Sequence, residues 1–280
     1  MRKTSGPPSL SYAELQPRMI RRLAIRGLER LTGQPDLRQL YLDNRANPLA
    51  GETFWQAAIR RLGLDLQISG QGLNRLPRTG PVVVVANHPF GVLDGLVLSY
   101  LVHAVRPDMK IMTNVVLNHV PEVRPFLLPV DFAPTRSARA TNLQSRADAH
   151  AHLAAGGCVV LFPAGGVATA PRAFGVAEDL PWQPFAAALI EKAEATTLPI
   201  WFDGANSRLF QIASQFSQSF RLALIFHEVQ RRRNTVVPVA VGDPVPWSAL
   251  RGLADRKAVT AELHQRTFAL GQVTPLALAA

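Results

Sequence analysis

A chain of 280 residues, 48% hydrophobic and 18% charged, has the makings of a globular protein with a large core, in one large domain or two small ones. That composition excludes a disordered chain. The net charge of +10 and the pI near 10.9 favour anionic partners: nucleic acid, an anionic membrane face, or phosphorylated or acidic substrates. One cysteine, Cys158, excludes an intrachain disulfide and a cysteine metal cluster, and it lies in a buried-strand pattern. Residues 1–10 carry no apolar run, so no secretory signal is expected. No apolar stretch reaches the roughly 18–20 residues a membrane span needs.

In chain order, residues 11–32 read as one amphipathic helix. Leu15, Met19, Leu23, Leu28 and Leu31 recur at helical spacing, with Arg18, Arg22, Arg26 and Arg30 as an i, i+4 stripe. Residues 1–32 hold a net +5, half of the chain's +10. Such a helix can lie on an anionic bilayer, or pack on the domain with a solvated arginine face. Helices follow over 35–44 and 52–62, then a strand over 64–69, a loop over 70–80, and the strand Pro81 to Ala86 with four consecutive valines. Val92 to Val105 reads as a helix, Lys110 to Asn114 and Phe126 to Val130 as strands, and Ser137 to Ala155 as a helix stopped by Gly156-Gly157. Cys158 to Phe162 is a strand, Trp182 to Ala195 a helix, Leu198 to Phe202 a strand, and Asn206 to Ser214 a loop or short helix. Arg221 to Phe226 and Thr235 to Val241 read as the last strands, and Ser248 to Leu270 as mainly helical. The alternation predicts an α/β fold: a central mixed, mostly parallel sheet flanked by helices, with an N-terminal helical segment over 1–62 and the α/β domain over 63–280.

The chemistry concentrates in Asn87-His88-Pro89-Phe90-Gly91-Val92-Leu93-Asp94-Gly95, directly after the valine strand. Ligands of open α/β sheets gather at the carboxyl ends of strands. A neutral imidazole accepts a proton near pH 7, and a carboxylate on its other nitrogen fixes the tautomer. Read alone, His88 and Asp94 are equally a turn histidine and a helix cap. There is no G-x-S-x-G elbow, no P-loop, no complete G-x-G-x-x-G and no zincin motif. The other six histidines (103, 119, 150, 152, 227 and 264) have no motif around them and are expected to be structural or on the surface. Arg136 and Arg139 follow a strand end; their forked donors suit a phosphate, or they are solvated loop arginines.

Three ordered motifs carry a resemblance. Asn87-His88-Pro89-Phe90-Gly91 with Asp94-Gly95, then Phe162-Pro163-Ala164-Gly165, then Asp203-Gly204-Ala205-Asn206-Ser207 resemble the phospholipid/glycerol acyltransferase family. More narrowly, they resemble its bacterial lysophospholipid acyltransferase-like branch, over about residues 60–245. The resemblance implies transfer of a fatty acyl group from an acyl-carrier protein or coenzyme A thioester to a hydroxyl of a lipid acceptor, with His88 as general base oriented by Asp94. It implies that Phe162, Pro163 and Gly165 bind the acceptor. Asn87, Phe90, Gly91 and Asn206, inside the matching motifs, join them as expected substrate contacts. Backbone N–H groups near Gly91 or Gly165 are the expected oxyanion donors. No resident cofactor and no metal is expected; the acyl thioester is a co-substrate. The expected location is cytoplasmic, peripheral on the inner face of the membrane.

Two departures stand out. Five residues, Pro89 to Leu93, separate the histidine from the aspartate, where the family usually has four. Ala164 stands where the family turn has glutamate, which leaves the acceptor open. Two rivals share the fold: a non-catalytic lipid-binding protein, and a thioester or lipid hydrolase in which His88 activates water. Nucleic-acid binding rests on charge alone, because aromatics are sparse at 7% and no basic stripe is interleaved with them.

Overall fold

The computed structural model describes residues 33–273 except 173, 174 and 217, together with the single helical positions Met19, Leu23, Arg26, Gly27 and Arg30. The helix expected over 11–32 therefore falls almost wholly outside the described residues. The elements that follow are α1 (Gln34–Ala46), α2 (Phe54–Leu62), β1 (Asp65–Ser69), the short α3 (Gly72–Arg75), β2 (Val82–Ala86), α4 (Val92–His103), β3 (Lys110–Asn114) and β4 (Leu127–Val130). After them come α5 (Arg136–Ala154), β5 (Cys158–Leu161), α6 (Phe185–Ala193), β6 (Thr196–Phe202), α7 (Arg208–Phe216), α8 (Gln218–Arg231), β7 (Val236–Val241) and α9 (Arg256–Val273). Local chemistry sets several ends. Thr53 and Gln56 form a reciprocal capping box at the start of α2, and Gly63, at φ +63°, closes its end. The Thr135 hydroxyl accepts the Ala138 N–H at the start of α5.

The sheet has seven strands in the order β1-β7-β6-β2-β5-β3-β4. All neighbours run parallel except β6 and β7, so the sheet is mixed and mostly parallel, as expected. The valine strand is central. Val82, Val84 and Ala86 enter one core face, under α1, α2, α4 and α8; Val83 and Val85 enter the other, under α5, α6 and α9. An unbroken apolar run is what a strand covered on both sides requires. At the edge, β1 pairs with β7 alone among the described residues and is largely exposed, Ile68 included.

One element was misread. Arg221 to Phe226, expected to be a strand, lies inside α8. Its apolar run is too short to separate strand from helix by itself. Taken with Val229 beyond it, Leu224, Ile225 and Phe226 form one buried helical face on the first core cluster. The expected loop over 70–80 contains α3. The expected helix at Trp182 begins three residues later, with Pro184 as its N-cap. Among the described residues, no helix is long and apolar enough to cross a membrane.

Candidate active site

The chain leaves β2 at Ala86 and turns through Asn87 to Gly91 into α4. Gly91 sits at φ +81°, and a Cβ there would come within 2.9 Å of Ile225 Cδ1, so only glycine fits. This turn brings His88 Nδ1 to 2.9 Å from Asp94 Oδ2. The same oxygen accepts the N–H groups of Phe90, at 2.8 Å, and Gly91, at 2.9 Å. Asp94 stands in the first turn of α4, where the helix dipole favours its negative charge. It is fully buried, and burial lifts its carboxyl above the usual range; the bonds from His88, Phe90 and Gly91 oppose that lift. Its Oδ1 has no partner among the described residues. The intervening five residues therefore accommodate a direct imidazole–carboxylate contact.

His88 is held from three further directions, once through its ring and twice through its backbone. Phe162 stacks on it, with centroids 3.9 Å apart and planes 20° from parallel. The His88 N–H donates to Asp179 Oδ1 at 3.0 Å, and the His88 carbonyl accepts the Ala168 N–H at 2.8 Å. Asp179 also accepts the Trp182 indole N–H, and burial pushes its carboxyl up. With Nδ1 engaged by Asp94, Nε2 is the free nitrogen of a ring whose side chain is 15% exposed.

His88 lines a cavity of about 1190 Å³. It exceeds the roughly 300–1,000 Å³ of most small-molecule sites. Asn114, Val130 and Leu161, the last residues of β3, β4 and β5, line its middle. Leu37, Trp55, Leu96 and Ile225 extend it over the first core face; Phe185, Ala186 and Arg146 extend it over the second. The site thus lies at the carboxyl ends of parallel strands. Among the described residues His88 is the one histidine in the lining. Cys158 is buried away from it, its thiol pushed up to about 12 by burial, so it stays protonated.

A nitrogen base braced by a buried acid beside a large, mostly apolar cavity suits acyl chemistry on a lipid. A family model described as acyltransferase matches residues 11–228. The chain belongs to the acyltransferase family. This acyltransferase is similar to two proteins named lyso-glycine lipid O-acyltransferase. The Phocaeicola vulgatus protein is 24% identical over 235 residues, covering 81% of this chain and 80% of its own. The Bacteroides thetaiotaomicron protein is 24% identical over 252 residues, covering 88% and 86%. Its fold is similar to the crystal structure of the 1-acyl-sn-glycerophosphate (LPA) acyltransferase PlsC from Thermotoga maritima. The TM-score is 0.50 at 14% identity, covering 93% of this chain and 85% of that one.

The other expected site residues of the acyltransferase divide into two groups. Gly91, Phe162, Pro163 and Gly165 line the cavity with His88. Asn87, Phe90, Asn206, Arg136 and Arg139 do not. Asn87 exchanges two hydrogen bonds with the Phe202 backbone, tying the end of β2 to the end of β6. Phe90 is buried under the Arg232 guanidinium, 3.6 Å from its ring centroid. Asn206 is buried, with neither side-chain polar atom partnered among the described residues. Its neighbour Ser207 donates Oγ–H and N–H to Glu228, joining this motif to α8. Arg136 and Arg139 are exposed on α5; the arginine of α5 in the lining is Arg146, lying over Phe185.

In the two regions expected to supply oxyanion donors, the N–H groups of Gly91 and Gly165 themselves are engaged, on Asp94 and on the Phe162 carbonyl. Ala164 is buried in the second core face and does not line the cavity. Sequence reading missed Asp179 and Arg146. Asp179 is 91 positions from His88 and has no local signal; Arg146 is marked only by its place on the same face of α5 as Arg136 and Arg139.

Proposed function

We propose that this acyltransferase moves a fatty acyl chain from a coenzyme A or acyl-carrier-protein thioester to a hydroxyl of a lysolipid. The observation that carries the reading is the His88–Asp94 contact opening into the large apolar cavity. The names of the two relatives support a lyso-lipid acceptor. His88 Nε2 removes the acceptor's proton as its oxygen attacks the thioester carbonyl carbon. The tetrahedral intermediate collapses, the C–S bond breaks, and the thiolate takes the proton back from the imidazolium. Asp94 holds the Nδ1–H tautomer and steadies the imidazolium. With Gly91 and Gly165 occupied, Gly166, a lining residue whose N–H has no partner among the described residues, supplies the oxyanion donor. The enzyme works peripherally on the cytoplasmic face of a membrane.

The test incubates purified protein with labelled acyl-coenzyme A or acyl-carrier protein and a panel of lyso-acceptors, with products read by mass spectrometry. Acylated lipid is expected, and His88→Ala lowers turnover about 10²- to 10⁴-fold with the fold intact. Wild-type turnover by His88→Ala would overturn the mechanism. Free fatty acid as the main product would make the protein a hydrolase; no turnover on any acceptor would make it a lipid-binding protein.

A further inference from the structure

The face of α5 that faces outward beside the cavity carries a pattern the reaction does not use. Arg136, Arg139, Leu143 and Arg146 are spaced i, i+3, i+7 and i+10. At 3.6 residues per turn they fall within about 80° of one another, along about 15 Å of helix. None of the three arginines pairs with a carboxylate among the described residues. The one acid of α5, Asp148, lies on another side of the helix and is occupied by Gln144. In the middle of this stripe Leu143 is 66% exposed, and Phe132, just before the helix, is 57% exposed.

Two large apolar side chains held in water beside unpaired cations are unfavourable unless something covers them. The cavity indicates what does. Phe132 and Arg146 belong to both the patch and the cavity lining, and Pro134, Thr135 and Ser137 beside them line it too, so the patch borders the cavity. We infer that this face of α5, with Phe132, is a docking surface for an anionic lipid bilayer. The arginines meet headgroup phosphates, and Phe132 and Leu143 enter the acyl boundary. The cavity mouth then opens onto the membrane. Forked guanidinium donors suit phosphate oxygens, and an apolar residue among cations suits an interface that is charged outside and oily inside. The surface is separate from the arginine helix expected over 11–32. The inference rests on the lipid-acceptor reading for its purpose, but its measurement needs no turnover.

The full-length protein is mixed with phosphatidylcholine vesicles containing or lacking phosphatidylglycerol, and bound protein is measured by flotation. Leu143→Glu is expected to lower partition onto the anionic vesicles at least tenfold. Leu209→Glu, at a leucine 53% exposed on α7, leaves partition unchanged. Arg139→Ala lowers partition about fivefold on anionic vesicles and not at all on neutral ones, about 1 kcal/mol per basic residue near the surface. Both glutamate variants replace exposed side chains, and an unchanged melting temperature shows that each is folded. With detergent-dispersed substrates, Leu143→Glu keeps wild-type turnover, because Leu143 does not line the cavity.

Wild-type flotation of Leu143→Glu, or an equal loss in Leu209→Glu, would overturn the inference. So would binding lost only when residues 1–32 are removed, or a Leu143→Glu defect confined to an acidic protein such as an acyl-carrier protein. Vesicle binding through this face in a protein that transfers no acyl chain would leave the inference standing and overturn the proposed function instead.

Discussion

Three hydrogen bonds converge on one carboxylate oxygen of Asp94, and only one of them concerns the base. The other two, from Phe90 and Gly91, hold the turn. Replacing Asp94 with Asn separates these duties. The amide oxygen can still accept the two backbone N–H groups, so the turn survives. The same oxygen still accepts the His88 Nδ1–H, but a neutral amide carries no charge to steady the imidazolium that forms. Asp94→Asn is expected to lower kcat about 10²- to 10⁴-fold. KM stays near the wild-type value, because Asp94 is buried and does not line the cavity. Stability moves the other way. The folded Asp94 carboxyl is raised by burial, so its favourable contribution is present below the ordinary carboxylate pKa and is lost as pH rises through the folded value. A neutral amide escapes that loss. Asp94→Asn should therefore melt at or above the wild-type temperature at pH 7 while being nearly inactive. A variant that melted well below wild type would show that the charge, not the acceptor geometry, holds the turn.

At the scale of elements, α1 matters because it walls the cavity yet packs on the fold through few buried residues; Leu37 is the buried one. A polar contact supplements it: the Tyr41 hydroxyl donates to Glu122 at 2.8 Å, linking α1 to the turn before β4. Burial, then the Glu122 bond and charge, push the Tyr41 hydroxyl up to about 12 from 10.0. The folded value lies above the unfolded one, so the contribution is whole below pH 10. It is lost as pH rises from about 10 to about 12, because the unfolded chain ionises first. Urea midpoints measured from pH 8 to 12 should fall across that window in the wild type and fall less in Tyr41→Phe. Equal falls would mean that this phenol does not anchor α1. The misread α8 belongs to the same scale. Its run Leu224 to Phe226 matches a buried strand as well as a buried helix, and packing against the first core face selects the helix.

Across the whole molecule, the cavity spans both faces of the sheet, and the dyad sits between its arms. One arm is framed by α1 and α2. Trp55 packs on Phe126, and Phe126 on His103, at the end of α4 opposite Asp94. His103 lies nine positions after Asp94, about 13 Å along α4. The cavity lining along α1 and α2 is mostly apolar, with Asn44 and Arg61 among it. Ala58, one turn after Trp55, lines that arm. Under the proposed function, Ala58→Trp narrows it. The product distribution should shift toward shorter chains, with turnover on short thioesters kept; an unchanged distribution would put the chain in the other arm.

What could be read from the chain alone was whatever is encoded over a few neighbouring residues. A β-branched run with no polar break announces a strand covered on both faces, as β2 is. A glycine pair announces the end of a helix, as Gly156-Gly157 does after α5. The short path from His88 to Asp94 across one strand-to-helix turn made their contact legible, because chain connectivity itself keeps them close. What only the tertiary structure decided involves partners distant in sequence: Asp179 on the His88 backbone, Asn87 on Phe202, Arg146 rather than Arg136 and Arg139 in the cavity lining, and the occupied N–H groups of Gly91 and Gly165. No local period encodes such contacts. They exist only once strands far apart in the chain lie side by side, and side-chain direction then determines which polar groups face the cavity and which are consumed in holding it open.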